Sequence, residues 1–338
     1  MTTDPPTMKA IVQRGYGAPE RVLQLDQTTA RPVPGDNDVL IRVRATSVNT
    51  PDSATVAGVP YVLRAQAGLR RPKQPIRGSD VAGMVEAVGQ GVTDLQAGDE
   101  VFGSLWGSAN SSKPGTFAQY TVVPASQLVK KPAGLSFEEA AASVMTGLTS
   151  LLAMRDVGHV GPGTRVLING ASGGVGTMAV QIAKSLGAEV TGVCSARNVE
   201  LVRSLGADHV IDYATQDFTK NESRYDVILD NVLNHPPKAV ARLLTPQGVF
   251  IPNSLGISGK LLGGLPRVAR AALMGKGSTD VKFVTLAVNH ENLNALVRLL
   301  ESGEAKTIIE RAYPLDDAAG AITRVLGHHA SGKIAITV

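Results

Sequence analysis

One short stretch constrains this chain more than any other. An apolar run, Val166-Leu167-Ile168-Asn169, enters the glycine-rich turn Gly170-Ala171-Ser172-Gly173-Gly174-Val175-Gly176, and apolar residues at helical spacing continue to Leu186. Strand, tight turn and helix in that order open a parallel βαβ unit. In such a turn Gly173 lets backbone approach a pyrophosphate and Gly176 lets the helix pack closely on its strand. Free N–H groups and the helix dipole then hold the anion. Ala171 stands where the first glycine of the usual pattern falls, so it must tolerate a tight turn. A plain glycine loop is the competing reading, but it does not require the flanking strand and helix. The implied ligand is a cofactor carrying a diphosphate.

The pattern downstream agrees. Strands are expected at Arg165–Asn169, Glu189–Cys194, His209–Asp212, Tyr225–Asp230 and Gly248–Ile251, with helices at Val175–Leu186, Val199–Leu205 and Pro237–Leu244 between them. This alternation builds a doubly wound parallel sheet covered by helices, the dinucleotide-binding layout. After the second strand, Thr191–Asn198 contains no acid to accept hydrogen bonds from the two ribose hydroxyls. Ser195 and Arg197 stand there instead, a donor and a cation suited to a 2′-phosphate, so NADPH is the expected cofactor. The alternative for Arg197 is a solvated side chain at a helix start. Asn231 follows the strand ending at Asp230, at the edge where open α/β sheets bind ligands.

Upstream, Met8 to about Lys131 reads as short strands broken by Gly, Pro and Asp, a small and mostly antiparallel β domain. Ser136 and Glu139 then form a capping box opening a helix through Ala140–Ser150. Beyond Gly259 come a basic helical excursion at Lys260–Gly277, an apolar strand at Val281–Val288 and a helix at Glu291–Ser302. The tail reads strand, helix, strand over Lys306–Tyr313, Leu315–Leu326 and Lys333–Val338, and periodicity does not assign it to a lobe.

Composition sets the limits. A chain of 338 residues that is 43% hydrophobic fills more than one core, since single cores rarely grow beyond about 250 residues. The net charge of +4 has scattered cations, dense only at Leu69–Arg77, and aromatics are 4%, which disfavours a nucleic-acid face. The single Cys194 excludes an internal disulfide and a cysteine-rich metal knot. No apolar stretch approaches the roughly 20 residues of a membrane span, and residues 1–7 lack a signal-peptide pattern. A soluble, cytoplasmic protein with a loose start at Met1–Thr7 and no membrane partner is expected.

Several stretches together resemble the medium-chain dehydrogenase/reductase superfamily and, within it, the zinc-independent quinone oxidoreductase-like branch. They are Met8–Ile11, Val39–Val43, Gly78-Ser79-Asp80-Val81-Ala82-Gly83, Leu95–Gly103, Ala171–Gly176, Gln181–Lys184, Leu205–Asp208 and Gly332-Lys333-Ile334. The resemblance implies a chaperonin-10-like (GroES-like) β domain, residues 1–130, completed by residues 303–338, with a Rossmann domain, residues 131–302, inserted between. It places the active site in the cleft between the lobes. The zinc ligands of related enzymes fall at Asn49, at Ser79-Asp80 and near Thr146, where thiolate and imidazole are absent, so no metal is expected. Reduction of an activated acceptor needs hydride alignment more than a Lewis acid. The implied function is NADPH-dependent transfer of hydride to a quinone or an α,β-unsaturated carbonyl compound. Zinc-free alcohol or ketone chemistry and a non-enzymatic NADPH-binding role are the alternatives.

The resemblance also nominates site residues. Asn49 matches a recurrent Asn whose amide can bond the nicotinamide ribose or the acceptor oxygen, with a turn-forming Asn as the plain alternative. Tyr61 resembles a phenol near the substrate, and Thr146 lies where a helix meets the nicotinamide. Asp52 is read as a helix cap. Lys184 and Tyr213 match phosphate-contacting residues in relatives. The basic run Tyr61–Arg77 is either an anion-recognising loop or surface charge. A homodimer through Val281–Val288 is expected, because an apolar sheet edge gains a partner that way.

Overall fold

The computed structural model describes residues 6–107, 114–254, 259–277 and 279–338. Of the expected loose start at Met1–Thr7, residues 1–5 lie outside these, while Thr7 already belongs to a strand. The strands of the amino-terminal part are β1 (Thr7–Gln13), β2 (Leu23–Ala30), β3 (Asp38–Val48), β4 (Asp80–Val88), β5 (Glu100–Ser104), β6 (Tyr120–Pro124) and β7 (Leu128–Lys130). Next come β8 (Arg165–Asn169), β9 (Glu189–Cys194), β10 (His209–Asp212), β11 (Tyr225–Asp230), β12 (Leu244–Pro252) and β13 (Asp280–Val281). The tail adds β14 (Ile309–Pro314) and β15 (Lys333–Thr337).

The chain divides into two compact units. One comprises Met1–Met145, Ala287–Glu301 and Ile309–Val338, the other Thr146–Leu286 and Ser302–Ile308. Ile309–Val338 therefore falls in the same unit as the amino-terminal strands, with β15 on β3. The boundaries differ from those expected: the helix His290–Glu301 joins the β unit, and Ser302–Ile308 joins the other. Gln181 shows why the latter crosses over, since its side chain donates to Lys306 O (3.0 Å) and accepts from Lys306 N (2.9 Å).

In the β unit a sheet runs β14-β15-β3-β4-β5-β7, with β6 also on β3 and a β1-β2 hairpin beside it. Pairing is antiparallel except for β14-β15. Alternate residues of these strands, among them Val39, Ile41, Val43, Val81, Val85 and Val101, are buried together, as a sheet closing on its own core requires. The consequential register is β15 on β3: Ile334 lies opposite Val48, which brings Lys333 beside Asn49.

The second unit is one parallel sheet, β10-β9-β8-β11-β12-β13. Its order reverses between β8 and β11, the switch point whose carboxyl-edge crevice takes ligands in open α/β sheets. The expected strand Val281–Val288 is corrected here. Only Asp280 and Val281 pair, opposite Val249 and Phe250, and Lys282 N adds one bond to Phe250 O (3.0 Å). The next partner position on β12 is Pro252, which has no N–H to continue the ladder.

Candidate active site and cofactor turn

The turn after β8 is built almost entirely from backbone. Gly170 adopts φ 77°, and its N–H and that of Ala171 both donate to Val193 O on β9, at 3.1 and 3.0 Å. The left-handed position thus falls on Gly170, which is why alanine suffices at 171. The helix Gly174–Ser185 follows with Gly173 as its N-cap. A Cβ on Gly176 would lie 2.1 Å from Gly170 O, so the protein itself demands glycine there. A Cβ on Gly173 would meet only Gly170 O at 3.5 Å, so nothing among the described residues excludes a methyl group there. These features suit a pyrophosphate approaching the backbone at Gly173.

Side chains extend the turn along the carboxyl edge. Asn198 Nδ2 donates to Ser172 Oγ (2.9 Å) and lies 3.3 Å from Ser195 Oγ, linking the turn to the end of β9. Arg197 is exposed beside Ser195, and Tyr213, also exposed, follows β10 with its N–H on Cys194 O (3.1 Å). Ser195, Arg197 and Tyr213 therefore share one edge with the turn. The Cys194 thiol beneath them is pushed up to about 11, chiefly by burial and then by Asp212, and is not a reactive thiolate.

Lys184 does not belong to this edge. It sits in the last turn of the helix that the glycine turn opens, and its Nζ donates to Ala188 O (3.0 Å) and to both Asp208 oxygens (2.9 and 2.8 Å), near the start of β9. A helix of this length carries it to the amino edge of the sheet, away from the phosphate turn.

At the switch point Asn169 Nδ2 donates to Asp230 Oδ1 (2.8 Å), joining the ends of β8 and β11. The same oxygen accepts from Val232 N (3.1 Å) and Leu233 N (2.8 Å), holding Leu233 in the left-handed region at φ 55°. Asp230 is fully buried and its pKa is raised, desolvation outweighing these bonds. Asn231 accepts from Asn253 Nδ2 (2.8 Å) and sits against Gly170, whose Cβ would lie 3.4 Å from Asn231 Cβ. Thr146 is buried in the helix Phe137–Leu152, opened by the expected capping box between Ser136 and Glu139. Ser150 Oγ lies 2.8 Å from Thr146 O and 2.9 Å from Val175 O, seating the helix that carries Thr146 on the start of the glycine-turn helix.

The β unit holds a buried charge cluster. Lys333 Nζ donates to Asn49 Oδ1 (2.5 Å) and Val48 O (2.9 Å), while Asn49 Nδ2 donates to Asp80 Oδ2 (2.8 Å), which also accepts from Ser47 Oγ (2.8 Å). Asn49, Asp80 and Lys333 are all buried. Burial raises the Asp80 carboxyl and lowers the Lys333 ammonium, each opposed by the other's charge. Asp52, in the first turn of the helix Thr50–Ala57, accepts from Asn49 N (2.9 Å) and Gly78 N (3.2 Å), the capping role expected of it. Its carboxyl is pushed up to about 6, first by burial and further by Asp80, against the pull of the Asn49 N–H, Arg77 and Lys333.

Asn49 is thus engaged at both ends of its amide, and one Nδ2 hydrogen is what it retains to offer. Tyr61 stands elsewhere in the unit, 43% exposed, with the Arg64 guanidinium 4.6 Å from its ring. No hydrogen bond joins it to Asn49 among the described residues. Neither Asp80 nor Lys333 is a site residue expected from the sequence, although both lie in the stretches that carry the family resemblance. The donors present do not fit a zinc ion: an amide and a hydroxyl replace the soft ligands, and an ammonium already sits on Asn49 Oδ1. Among the described residues no three His, Cys, Asp or Glu side chains gather as a metal site.

Residues 35–133 match the alcohol dehydrogenase GroES-like domain family, and residues 205–336 match a family described as zinc-binding dehydrogenase. The chain belongs to the medium-chain dehydrogenase/reductase superfamily, and is an oxidoreductase of that type. Within it the chain falls in the quinone oxidoreductase-like branch. It is 34% identical to the chloroplastic quinone-oxidoreductase QR1 of Triphysaria versicolor, over 97% of this chain and 98% of that one. Among solved structures it resembles the quinone oxidoreductase from Coxiella burnetii, with a TM-score of 0.85, 27% identity and coverage of 98% and 100%. The Escherichia coli quinone oxidoreductase complexed with NADPH matches with a TM-score of 0.80, 28% identity and coverage of 98% and 100%.

Proposed function

We propose that this chain is an NADPH-dependent, zinc-independent reductase that delivers hydride to a quinone or an α,β-unsaturated carbonyl compound. The observation that carries the cofactor assignment is the acid-free carboxyl end of β9, where Ser195, Arg197 and Tyr213 flank the glycine turn. Backbone N–H groups of the turn hold the pyrophosphate, and Arg197 and Ser195 hold the 2′-phosphate. When bound, reduced nicotinamide supplies the hydride.

The rest falls to the chain's own groups. Lys333 and Asp80 fix the plane of the Asn49 amide, so its remaining N–H has one direction in which to donate. A carbonyl oxygen that gains charge during reduction is stabilised by such a preorganised donor. Tyr61 and Thr146 are proposed as substrate-side contacts, with the proton arriving from water or a hydroxyl. The enzyme is proposed to work in the cytoplasm as a homodimer joined near β13, which has β12 on one side only.

An NADPH-oxidation screen against quinones, enals, enones, ketones and alcohols, with product identification, tests the reading. Turnover of quinones or of conjugated C=C bonds is expected, and turnover of none of these acceptors ends it. Reduction of saturated ketones alone would move the enzyme to carbonyl chemistry. Equal affinity for NADH and NADPH would refute the cofactor assignment, and Arg197→Ala is expected to weaken NADPH selectively, by about 1.5–3 kcal/mol.

A further inference from the structure

Two acid-free stretches carry five or more cations: Ser53–Ser79 holds Arg64, Arg70, Arg71, Lys73 and Arg77, and a longer one follows β11. From Asn231 to Thr279 there is no Asp or Glu, while Lys238, Arg242, Lys260, Arg267, Arg270 and Lys276 are all present. Since the whole chain is +4, the remainder is net −2. None of the six cations belongs to the site already described, to which the stretch contributes only the uncharged Asn231, Val232, Leu233 and Asn253.

The fold turns much of the stretch outward. The helices Pro237–Ala241 and Leu265–Met274 pack on one another, and the longer one buries Ala271, with Val268 packed beside it, on the core of the parallel-sheet unit. Arg267 is committed to that packing through Leu233 O (2.9 Å). On the other side Arg270, Leu273 and Lys276 are exposed at helical spacing, preceded by exposed Lys260, Leu261 and Leu262. Leu261 and Leu273 are each 65% exposed, an unusual state for leucine. Lys238 and Arg242 add exposed cations from the shorter helix.

We propose that this face docks peripherally on an anionic lipid surface. Exposed leucines among cations, with no acid in the sequence of the stretch, match an interfacial helix: the ammonium and guanidinium groups meet headgroup phosphates and the leucines enter the acyl boundary. Nucleic acid fits less well, because the only Phe, Tyr or Trp in the stretch is Phe250, which is buried and offers no stacking platform. No described helix is long and apolar enough to cross a membrane, and peripheral docking needs none. Peripheral docking departs from the expectation of no membrane partner, which rested on the lack of a spanning segment.

The test is co-sedimentation of the full chain with phosphatidylcholine vesicles and with vesicles that also contain phosphatidylglycerol. Binding to the anionic vesicles is expected to exceed binding to neutral ones by about tenfold or more and to fall with salt. The double variant Arg270→Glu, Lys276→Glu should abolish it, Leu273→Ser should reduce it several-fold, and Lys220→Glu, an exposed cation outside the stretch, should leave it unchanged. Thermal melts and NADPH turnover, which do not depend on this face, report that each variant is folded. Absence of binding by the wild type overturns the proposal, as does equal loss in Lys220→Glu. So does retention of duplex DNA at a salt concentration where vesicles are not retained. If Leu273→Ser changes the oligomeric state but not vesicle binding, a second copy covers this face and the lipid reading fails.

Discussion

The cofactor turn and the buried charge cluster place polar groups by opposite means. The turn between β8 and its helix uses contiguous backbone, and its requirements are conformational: φ 77° at Gly170 and no side chain at Gly176. The cluster of Asn49, Asp52, Asp80 and Lys333 uses side chains from three separate segments, and its requirements are electrostatic. Desolvation raises both carboxyls and lowers the ammonium, so the fold must hold opposite charges together against that cost. One region is intolerant of added atoms and the other of unbalanced charge. Substitutions that separate steric from electrostatic intolerance test this contrast.

The largest effect is expected at Gly176. Gly176→Val puts a branched side chain where even a Cβ would lie 2.1 Å from Gly170 O and 2.7 Å from Ala171 backbone, atoms that cannot swing aside. Unfolding measurements should show a loss of about 4 kcal/mol or more together with loss of NADPH binding. A variant with wild-type stability would show that the turn is far softer than its geometry implies.

Lys333→Met comes next. It leaves Asp80 buried without its neutralising partner, and breaking one side of a buried pair costs about 3–5 kcal/mol. Adding Asp80→Asn to Lys333→Met should recover part of that loss, because the stranded charge is gone. If denaturant titration finds the double variant weaker than the single one by the full cost of a second independent substitution, the two groups are not coupled through Asn49.

The contrast also explains what the residues reveal before folding. Gly170–Gly176 is contiguous, so its strand, turn and helix can be read directly, as can the acid-free end of β9 that contains Ser195 and Arg197. Lys333 and Asp80 are visible as residues, but their partnership depends on Ile334 lying opposite Val48, a register between strands almost 300 residues apart. Asn198 carries no local signal at all; its contact with Ser172 exists only because β9 lies beside β8. Lys184 is nominated by the resemblance alone, and the helix Gly174–Ser185 carries it to the opposite end from the phosphate turn, where it binds Ala188 O and Asp208. The apolar run after Asp280 has strand-like composition, yet its ladder stops where β12 presents Pro252.

A pH titration separates the cluster's charges from its shape. Because burial raises the Asp52 carboxyl from 3.8 to about 6, the folded protein holds that proton more tightly than the unfolded chain does. The stabilisation is complete below the unfolded value and is lost as pH climbs from about 4 through about 6, a change worth roughly 3 kcal/mol. Denaturant stability of wild type minus that of Asp52→Asn should therefore fall across this window. Carboxyls whose pKa is lowered, such as Asp99 and Asp208, titrate below it and leave the difference unaffected. A flat difference between pH 4 and 7 would mean that Asp52 is better solvated or better paired than its surroundings imply.

The smallest expected change in stability is also the most discriminating. Gly173 and Gly176 lie three residues apart in one turn, but a Cβ on Gly173 would meet only Gly170 O, at an ordinary 3.5 Å. Gly173 has no positive φ that would strain alanine. Gly173→Ala should therefore melt within about 0.5 kcal/mol of wild type, as a substitution without a clash does. If the pyrophosphate lies against that backbone, the added methyl group occupies its place, and NADPH affinity measured by fluorescence should fall about tenfold or more. Gly176→Val would lose affinity because the turn is lost, whereas Gly173→Ala would lose it with the turn intact. Unchanged affinity in a normally melting Gly173→Ala would move the phosphate away from this residue. Reduced stability would instead make Gly173 a second steric position like Gly176, and the division between ligand-required and fold-required glycine would collapse.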